Sequence, residues 1–513
     1  MERPTRDAHL TDPSNVKTDA DVEAPTSPTA SSDQLDRSLA RGVAWTAGVK
    51  WLSQLLTWPA TLIVIRLLSP EDYGLVAMGS VYVSFVLLVN EFGLGSAIIQ
   101  QRDLTEDQIA QIYGLSILFG LACFLLSMLV AYPLAVFYRI PTVRLIVMAL
   151  SINFFITSAR TVPIALLTRD FQFRLAALNE AIGAILQSCC LVLFAWLGYR
   201  HWALVIGFLI ASLTTSVLAC VQRPHRVAWP RLREIRGAVA YGSHLVGSRV
   251  AWYLYTDADF FIIGRVLGTT ATGSYGFAWS FASLPLEKVT SLVGRVAPPI
   301  LSAVQNDLPA MRRYITKLSS GIALLTLPAG IGLGLVARDF VLVAAGPKWI
   351  AVTEPLRYLA LFATFRSLVP ILSQAGNAVG LVKFVMRMSI LAAIVMPISF
   401  LIGTRWGTTG VAVAWLVAYP VAAAPLIITV LRRIGMGAGE YLVALWPAVS
   451  ATLVMAVAVA LVRQVIGVET SVSLRLAEQV ATGAAAYAAT IFLFHRSEVR
   501  SLVAVFRGSA ATA

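Results

Sequence analysis

After residue 41 the chain falls into about fourteen apolar stretches, each near the ~20 residues a helix needs to cross a bilayer. They run roughly over 42–65, 74–94, 110–136, 145–166, 176–198, 202–221, 238–263, 272–294, 318–337, 354–376, 388–402, 408–431, 441–462 and 476–494. Inside lipid, backbone N–H and C=O groups must pair within their own segment, so each stretch predicts a spanning helix. Prolines within them (Pro59, Pro133, Pro163, Pro285, Pro328, Pro370, Pro397 and Pro420) predict kinks. The intervals between spans are short. The longest polar one is the basic run 222–237, placed between the sixth and seventh spans.

Composition agrees with this pattern: 58% hydrophobic and 13% charged residues, with a mean hydropathy of +0.75. A net charge of +13 could serve a nucleic acid or an anionic surface, and its distribution decides. With the N-terminus inside, 22 of the 40 Lys and Arg residues, Arg160 among them, fall on the cytoplasmic side and 10 on the other. That bias predicts cytoplasmic N- and C-termini, and the basicity then needs no nucleic acid. The basic run 222–237 is read as orienting charge in contact with anionic headgroups, with partner docking as the other reading.

The expected class is an all-α integral membrane protein with about fourteen transmembrane helices. Its expected organisation is a disordered cytoplasmic tail (1–40), an N-lobe of six spans (41–221), the basic connector (222–237) and a C-lobe of six spans (238–432). Two appended spans (433–495) and a cytoplasmic tail (496–513) complete it. The first residues are rich in Asp, Ser, Thr and Pro, and lack the charged-then-apolar order of a cleavable signal peptide. Cys123, Cys189, Cys190 and Cys220 all lie within spans without CxxC spacing, and are read as small buried hydrophobes.

The halves also repeat locally. Arg66-Leu67-Leu68-Ser69-Pro70-Glu71-Asp72-Tyr73-Gly74 joins the first two spans, and Arg265-Val266-Leu267 followed by Ser274-Tyr275-Gly276 joins the seventh and eighth. Lys50 precedes Arg66, and Arg249 precedes Arg265, by the same interval, about 24 Å along a helix. Parallel repeats of this kind place a central site between halves; chance recurrence of short apolar motifs is the alternative.

The first of these motifs, with Glu91-Phe92-Gly93-Leu94-Gly95-Ser96-Ala97-Ile98-Ile99, resembles the Wzx-type polysaccharide flippases. Those belong to the multidrug/oligosaccharidyl-lipid/polysaccharide exporter superfamily, and the colanic-acid exporter branch is the nearest in character. Asp259-Phe260-Phe261-Ile262-Ile263-Gly264-Arg265, Pro299-Ile300-Leu301-Ser302 and Gly346-Pro347-Lys348-Trp349 extend the resemblance over roughly 40–430. It fades over the last two spans. The resemblance implies a flippase that moves a polyprenyl-pyrophosphate-linked oligosaccharide across the inner membrane for exopolysaccharide or lipopolysaccharide assembly. Its implied partners are the lipid-linked oligosaccharide, membrane lipids, and a polysaccharide polymerase with its chain-length machinery.

Ionisable groups within a span cost about 2.5–3.5 kcal/mol on insertion scales, so each needs a reason. Lys50, Arg249, Lys288 and Arg366 are the candidate substrate-binding cations, suited to a diphosphate headgroup. Lys288 could instead snorkel to the interface, and Arg366 could pair with a neighbouring helix. Asp257, Asp259, Glu287 and Glu91 are candidate sites for a coupling H+ or Na+, or neutralising partners of those cations. On one unbroken helix Asp257 and Asp259 would point about 200° apart.

No catalytic constellation or organic cofactor is expected. The chain has no phosphate-binding G-x-x-x-x-G-K-[ST] loop, and His9, His201, His225, His244 and His495 lack metal-ligand spacing. Gly330-Ile331-Gly332-Leu333-Gly334 lies in a span and is read as helix packing. Two other functions remain open: an ion-coupled drug antiporter of the same superfamily, and a membrane polysaccharide polymerase or ligase. The buried cations disfavour the first, and extracytoplasmic intervals of no more than about twenty residues disfavour the second.

Overall fold

A computed structural model describes residues 32–90, 93–101, 103–237, 239–240, 253, 256–465 and 470–496. Among them the chain is helix and turn, with no strand. The first lobe comprises α1 (Ser32–Leu67), α2 (Pro70–Asn90) continued by the short α3 (Leu94–Gln100), and α4 (Glu106–Tyr138). It is completed by α5 (Thr142–Arg169), α6 (Phe173–Trp196) and α7 (His201–Gln222). The second lobe comprises α8 (Ala258–Val266), α9 (Thr269–Ala303), α10 (Leu308–Ala344) and the broken arm α11 (Thr353–Arg366) plus α12 (Val369–Ala378). Then come α13 (Val382–Gly403) and α14 (Gly407–Arg433), while α15 (Ala438–Val465) and α16 (Val472–Phe494) pack on α10. Counting each broken arm once, fourteen arms stand where fourteen spans were expected. Among the described residues ten stretches are long and apolar enough to cross a membrane, and one of them, Val382–Arg433, holds both α13 and α14.

Helix ends overrun the apolar windows. α10 starts at Leu308 because the Asp307 carboxylate accepts from Ala310 N at 3.0 Å, capping a first turn that also carries Pro309. Hydropathy locates the lipid-facing part of a helix, whereas caps set its end. α1 likewise begins at Ser32, so residues 32–40, expected in the disordered tail, are helical. Of the cysteines only Cys123 is buried; Cys189 is exposed on its helix.

The two lobes meet at the end that carries the α1–α2 and α8–α9 turns. There Gly74 of α2 and Gly273 of α9 allow backbone contact between the helices. A Cβ on Gly74 would sit 1.8 Å from Thr269 O, and one on Gly273 1.8 Å from Pro70 O. The repeat is visible in what surrounds this crossing. Arg66, ending α1, donates to the carbonyls of Val343 and Ala344 at the end of α10. Arg265, near the end of α8, lies 5.9 Å over the Phe137 ring at the end of α4. Each terminal arginine therefore reaches the corresponding helix of the opposite lobe. The turn after α10, Gly346-Pro347-Lys348-Trp349, plugs the seam: Trp349 is fully buried, donates from Nε1 to Ile65 O at 3.0 Å and stands edge-on to Tyr73 at 5.4 Å. Burial here lowers the affinity of the Lys348 amine for its proton. Further along, Tyr253 donates to Val81 O at 2.6 Å.

At the opposite end the basic connector 223–237 straps onto the first lobe. Arg223 pairs with Asp170 at 3.0 Å, His225 with Glu106 at 3.6 Å, and Arg226 with Asp107. Ala228 N donates to Ala110 O at 3.0 Å, an approach that only Gly114 permits beneath it. Gln111 accepts from Arg231 N and donates to Glu234, and with Arg231 it holds that carboxyl below the usual range. Several of these bases answer acids on α4 and α5, an outcome visible only once helix ends and loop share one surface.

The Gly330–Gly334 run packs as expected: a Cβ on Gly330 would meet Ala360 O of α11 at 2.6 Å. The appended pair is held by a buried carboxylate. Asp339 of α10 receives Arg475 in a two-pronged contact of 2.9 and 2.6 Å, and Gln479 at 3.0 Å. Asp339→Ala should cost about 2–4 kcal/mol of unfolding free energy, because it strands two donors at a half-buried seam. A drop in the thermal unfolding midpoint of the purified protein reads this, and an unchanged midpoint would remove the triad as the clasp.

Candidate functional site

The second lobe encloses an acid in an aromatic nest. Asp259 lies in the first turn of α8 and is fully buried. Its Oδ2 accepts from Tyr275 OH at 2.6 Å and from Trp415 Nε1 at 2.8 Å, and its Oδ1 from Phe260 N at 2.9 Å. Tyr275 is one turn and a half into α9, while Trp415 lies a third of the way along α14, so three helices converge on one carboxylate. Around them Trp279, Phe362 and Phe400 stack within 5.4 Å of the Trp415 ring. A buried carboxylate is tolerable where donors replace its water, and three do so here.

Arg366 stands at the edge of this nest, its guanidinium 5.3 Å from the Trp279 ring centre. Its place follows from the local sequence. Pro370 has no N–H to give to the carbonyl of Arg366, so the ladder breaks after Arg366 and restarts at Val369, with Pro370 in the first turn of the new helix where its missing N–H costs nothing. Arg366 thereby occupies a helix C-terminus inside the bundle, where the dipole favours a cation. Ser367 closes the break by sharing a hydrogen bond with Thr326 at 2.9 Å. Broken helices of this type are where transporters build their sites.

Asp257 is not on an unbroken helix with Asp259. It caps the N-terminal end of α8 with a non-helical backbone, half-buried, and accepts from Thr256 Oγ1 at 3.1 Å. The 200° separation inferred from helical spacing therefore does not apply. Glu287 and Lys288 sit on an exposed stretch of α9, roughly 13 Å further along than Trp279. They do not join the nest. Arg249 and Glu91 lie outside the described residues, as does the side chain of Lys50.

Two partners went unread in the sequence. Tyr275 and Trp415 look like ordinary apolar-span aromatics, and only the fold aims both polar tips at Asp259. Arg160 and Glu180 carried a legible signal, being ionisable residues inside apolar stretches. Arg160, expected at a cytoplasmic end, lies within α5 and lines a cavity together with Glu180 of α6.

Residues 63–354 match the family described as polysaccharide biosynthesis protein. An uncharacterized membrane protein in the cps region of Klebsiella pneumoniae is 24% identical over 74% of this chain and 79% of its own length. The lipopolysaccharide biosynthesis protein WzxC of Escherichia coli (strain K12) is 24% identical over 62% of this chain, which spans 64% of that protein. In fold the chain is similar to the lipid II flippase MurJ in an inward closed conformation. There the TM-score is 0.67 at 15% identity, covering 88% of this chain and 99% of that one.

Proposed function

Because the chain belongs to the polysaccharide biosynthesis protein family, whose residues 63–354 carry the match, we propose that it flips a polyprenyl-diphosphate-linked oligosaccharide between leaflets. The two lobes would alternate access around the cleft between them, in the cell inner membrane, with both termini cytoplasmic. The observation that carries this reading is the pseudo-symmetric seal at the turn end, made by Gly74, Gly273, Arg66, Arg265 and Trp349. Two lobes held at one end by a glycine crossing and a few directed contacts can part there by rocking one lobe on the other. Lys50, Arg249, Lys288 and Arg366 are the cations assigned to the diphosphate. Asp257, Asp259, Glu287 and Glu91 are the acids assigned to a coupling H+ or Na+. A polymerase and chain-length machinery would act on the cargo afterwards.

The orientation rests on the Lys and Arg bias, which counts bases whether or not acids answer them. Trp229 on the connector is 78% exposed. In a cysteine-free background, Trp229→Cys should react with an impermeant thiol reagent only after the membrane is opened. Labelling in intact spheroplasts would invert the topology.

The activity itself is tested in proteoliposomes with a fluorescent lipid-linked oligosaccharide and an impermeant quencher. Wild type should expose label to the quencher faster than empty vesicles. Arg366→Ala should slow this at least ~10-fold, and Arg366→Lys less, since a charge-assisted phosphate contact is worth about 1.5–3 kcal/mol. Wild-type vesicles no faster than empty ones would end the flippase reading.

A further inference from the structure

The outer hairpin of the second lobe, α13 and α14, carries cations in line with its lipid-facing apolar residues. On α13, Lys383, Arg387, Ile390, Ile394, Ile398 and Leu401 are all exposed and fall within about 80° of one another around the axis. The four apolar members are 50–57% exposed, and the opposite face, with Ala392, Met396 and Phe400, is buried. This stripe therefore faces the hydrocarbon, and Lys383 and Arg387 head it, about 6 Å apart along the helix. On α14, Val417, Val421, Pro425 and Ile428 form a similar exposed stripe that ends on Arg432, while Ala422, Leu426 and Val430 face the core. The two helices run antiparallel and pack along their lengths. A Cβ on Gly376 would meet Val385 Cγ2 at 3.2 Å and Val430 Cγ2 at 2.9 Å, so the start of α13 and the end of α14 stand side by side. Lys383, Arg387 and Arg432 thus gather at the connector end of the bundle, on its lipid-facing rim.

No acid of the hairpin answers them. Between Glu354 and Glu440 the sequence has no Asp or Glu. Among the described residues no carboxylate pairs with any of the three. The rim of the first lobe differs, because there Arg223, Arg226 and Arg231 meet Asp170, Asp107 and Glu234. A cation facing lipid without a counter-charge is costly unless its tip reaches a phosphate or water. Arg387 lies roughly 7.5 Å from the start of α13, close enough to extend into the headgroup layer. A zwitterionic headgroup brings an ammonium with its phosphate and an anionic one does not, so three clustered cations favour the anionic lipid.

We propose that Lys383, Arg387 and Arg432 form a binding site for an anionic phospholipid of the leaflet at the connector end. Its phosphate lies against the three cations and its acyl chains run along the two apolar stripes. The site needs the membrane-spanning fold and not the flippase reading.

The test uses the full chain, cysteine-free except for Ile390→Cys carrying a bimane label, in equimolar phosphatidylethanolamine and phosphatidylglycerol vesicles. One lipid or the other is supplied in brominated form, which quenches the label only on contact. Brominated phosphatidylglycerol should quench more strongly, by an amount equivalent to at least about fivefold local enrichment, the effect of a single base. With Lys383→Gln, Arg387→Gln and Arg432→Gln combined, the two lipids should quench equally. Lys383→Arg combined with Arg387→Lys, which keeps the charge, should keep the preference. Equal quenching without the glutamines, or a preference that survives all three, overturns the site. Relief of the quenching by a polyprenyl phosphate, in amounts too small to dilute the phosphatidylglycerol, would give the cations to that lipid and refute the phospholipid assignment.

Discussion

Gly74→Leu should abolish transport while the protein still inserts in the membrane. A Cβ at this position would lie 1.8 Å from the Thr269 carbonyl oxygen, inside any van der Waals distance, and the atom met is backbone and cannot rotate away. Relief has to come from separating α2 and α9, yet Gly273 against Pro70 pins the same crossing from the other side. The closed arrangement of the turn end is therefore disfavoured by about 3 kcal/mol or more, which depopulates it over 100-fold. Alternating access needs that state, so flipping in proteoliposomes should fall to the level of empty vesicles. Ile65→Cys, buried at the seam beside Trp349, should become reactive to an impermeant thiol reagent in the Gly74→Leu background. Wild-type flipping with an unreactive Ile65→Cys would show that the crossing is not the gate.

Asp259→Asn should uncouple the protein. The amide keeps the size of the carboxyl, and its oxygen can still accept from Tyr275 and Trp415, so the two side-chain contacts of the nest should hold while the bond from Phe260 N is lost. What is lost is the charge and with it any site for H+ or Na+. Flipping driven by an imposed gradient of the coupling ion should fall at least tenfold, while slow equilibration without a gradient persists. Asp259→Ala leaves the Tyr275, Trp415 and Phe260 donors unpaired as well, and should also lower stability by about 2–5 kcal/mol. That difference separates positioning from coupling. An Asp259→Asn protein that responds to the gradient like wild type would move the coupling site elsewhere.

The candidate site was legible in part. Arg366 and Asp259 stood out because an ionisable group in an apolar span needs a reason, and that rule holds whatever the fold. Applied evenly it would also have selected Arg160 and Glu180. Tyr275 and Trp415 could not be selected, because an aromatic in an apolar span carries no mark of where its polar tip points. Asp257 was misplaced for a local reason: apolar periodicity runs straight through a position where the backbone leaves the helix.

The sequence by itself determined the membrane class, the fourteen arms and the repeat, because hydrophobic length and backbone self-pairing in lipid are properties of each segment alone. It also located the glycines and arginines at the span ends. Only the tertiary structure decided what those residues do. Gly74 meets Gly273 and Thr269 rather than its repeat partner Gly276, and Arg66 and Arg265 cross to opposite lobes. The connector's bases find acids on α4 and α5, and one carboxylate draws Tyr275 and Trp415 from helices far apart in the chain. Contacts of this kind depend on the relative rotation and depth of packed helices, which side-chain fit sets and no single segment encodes.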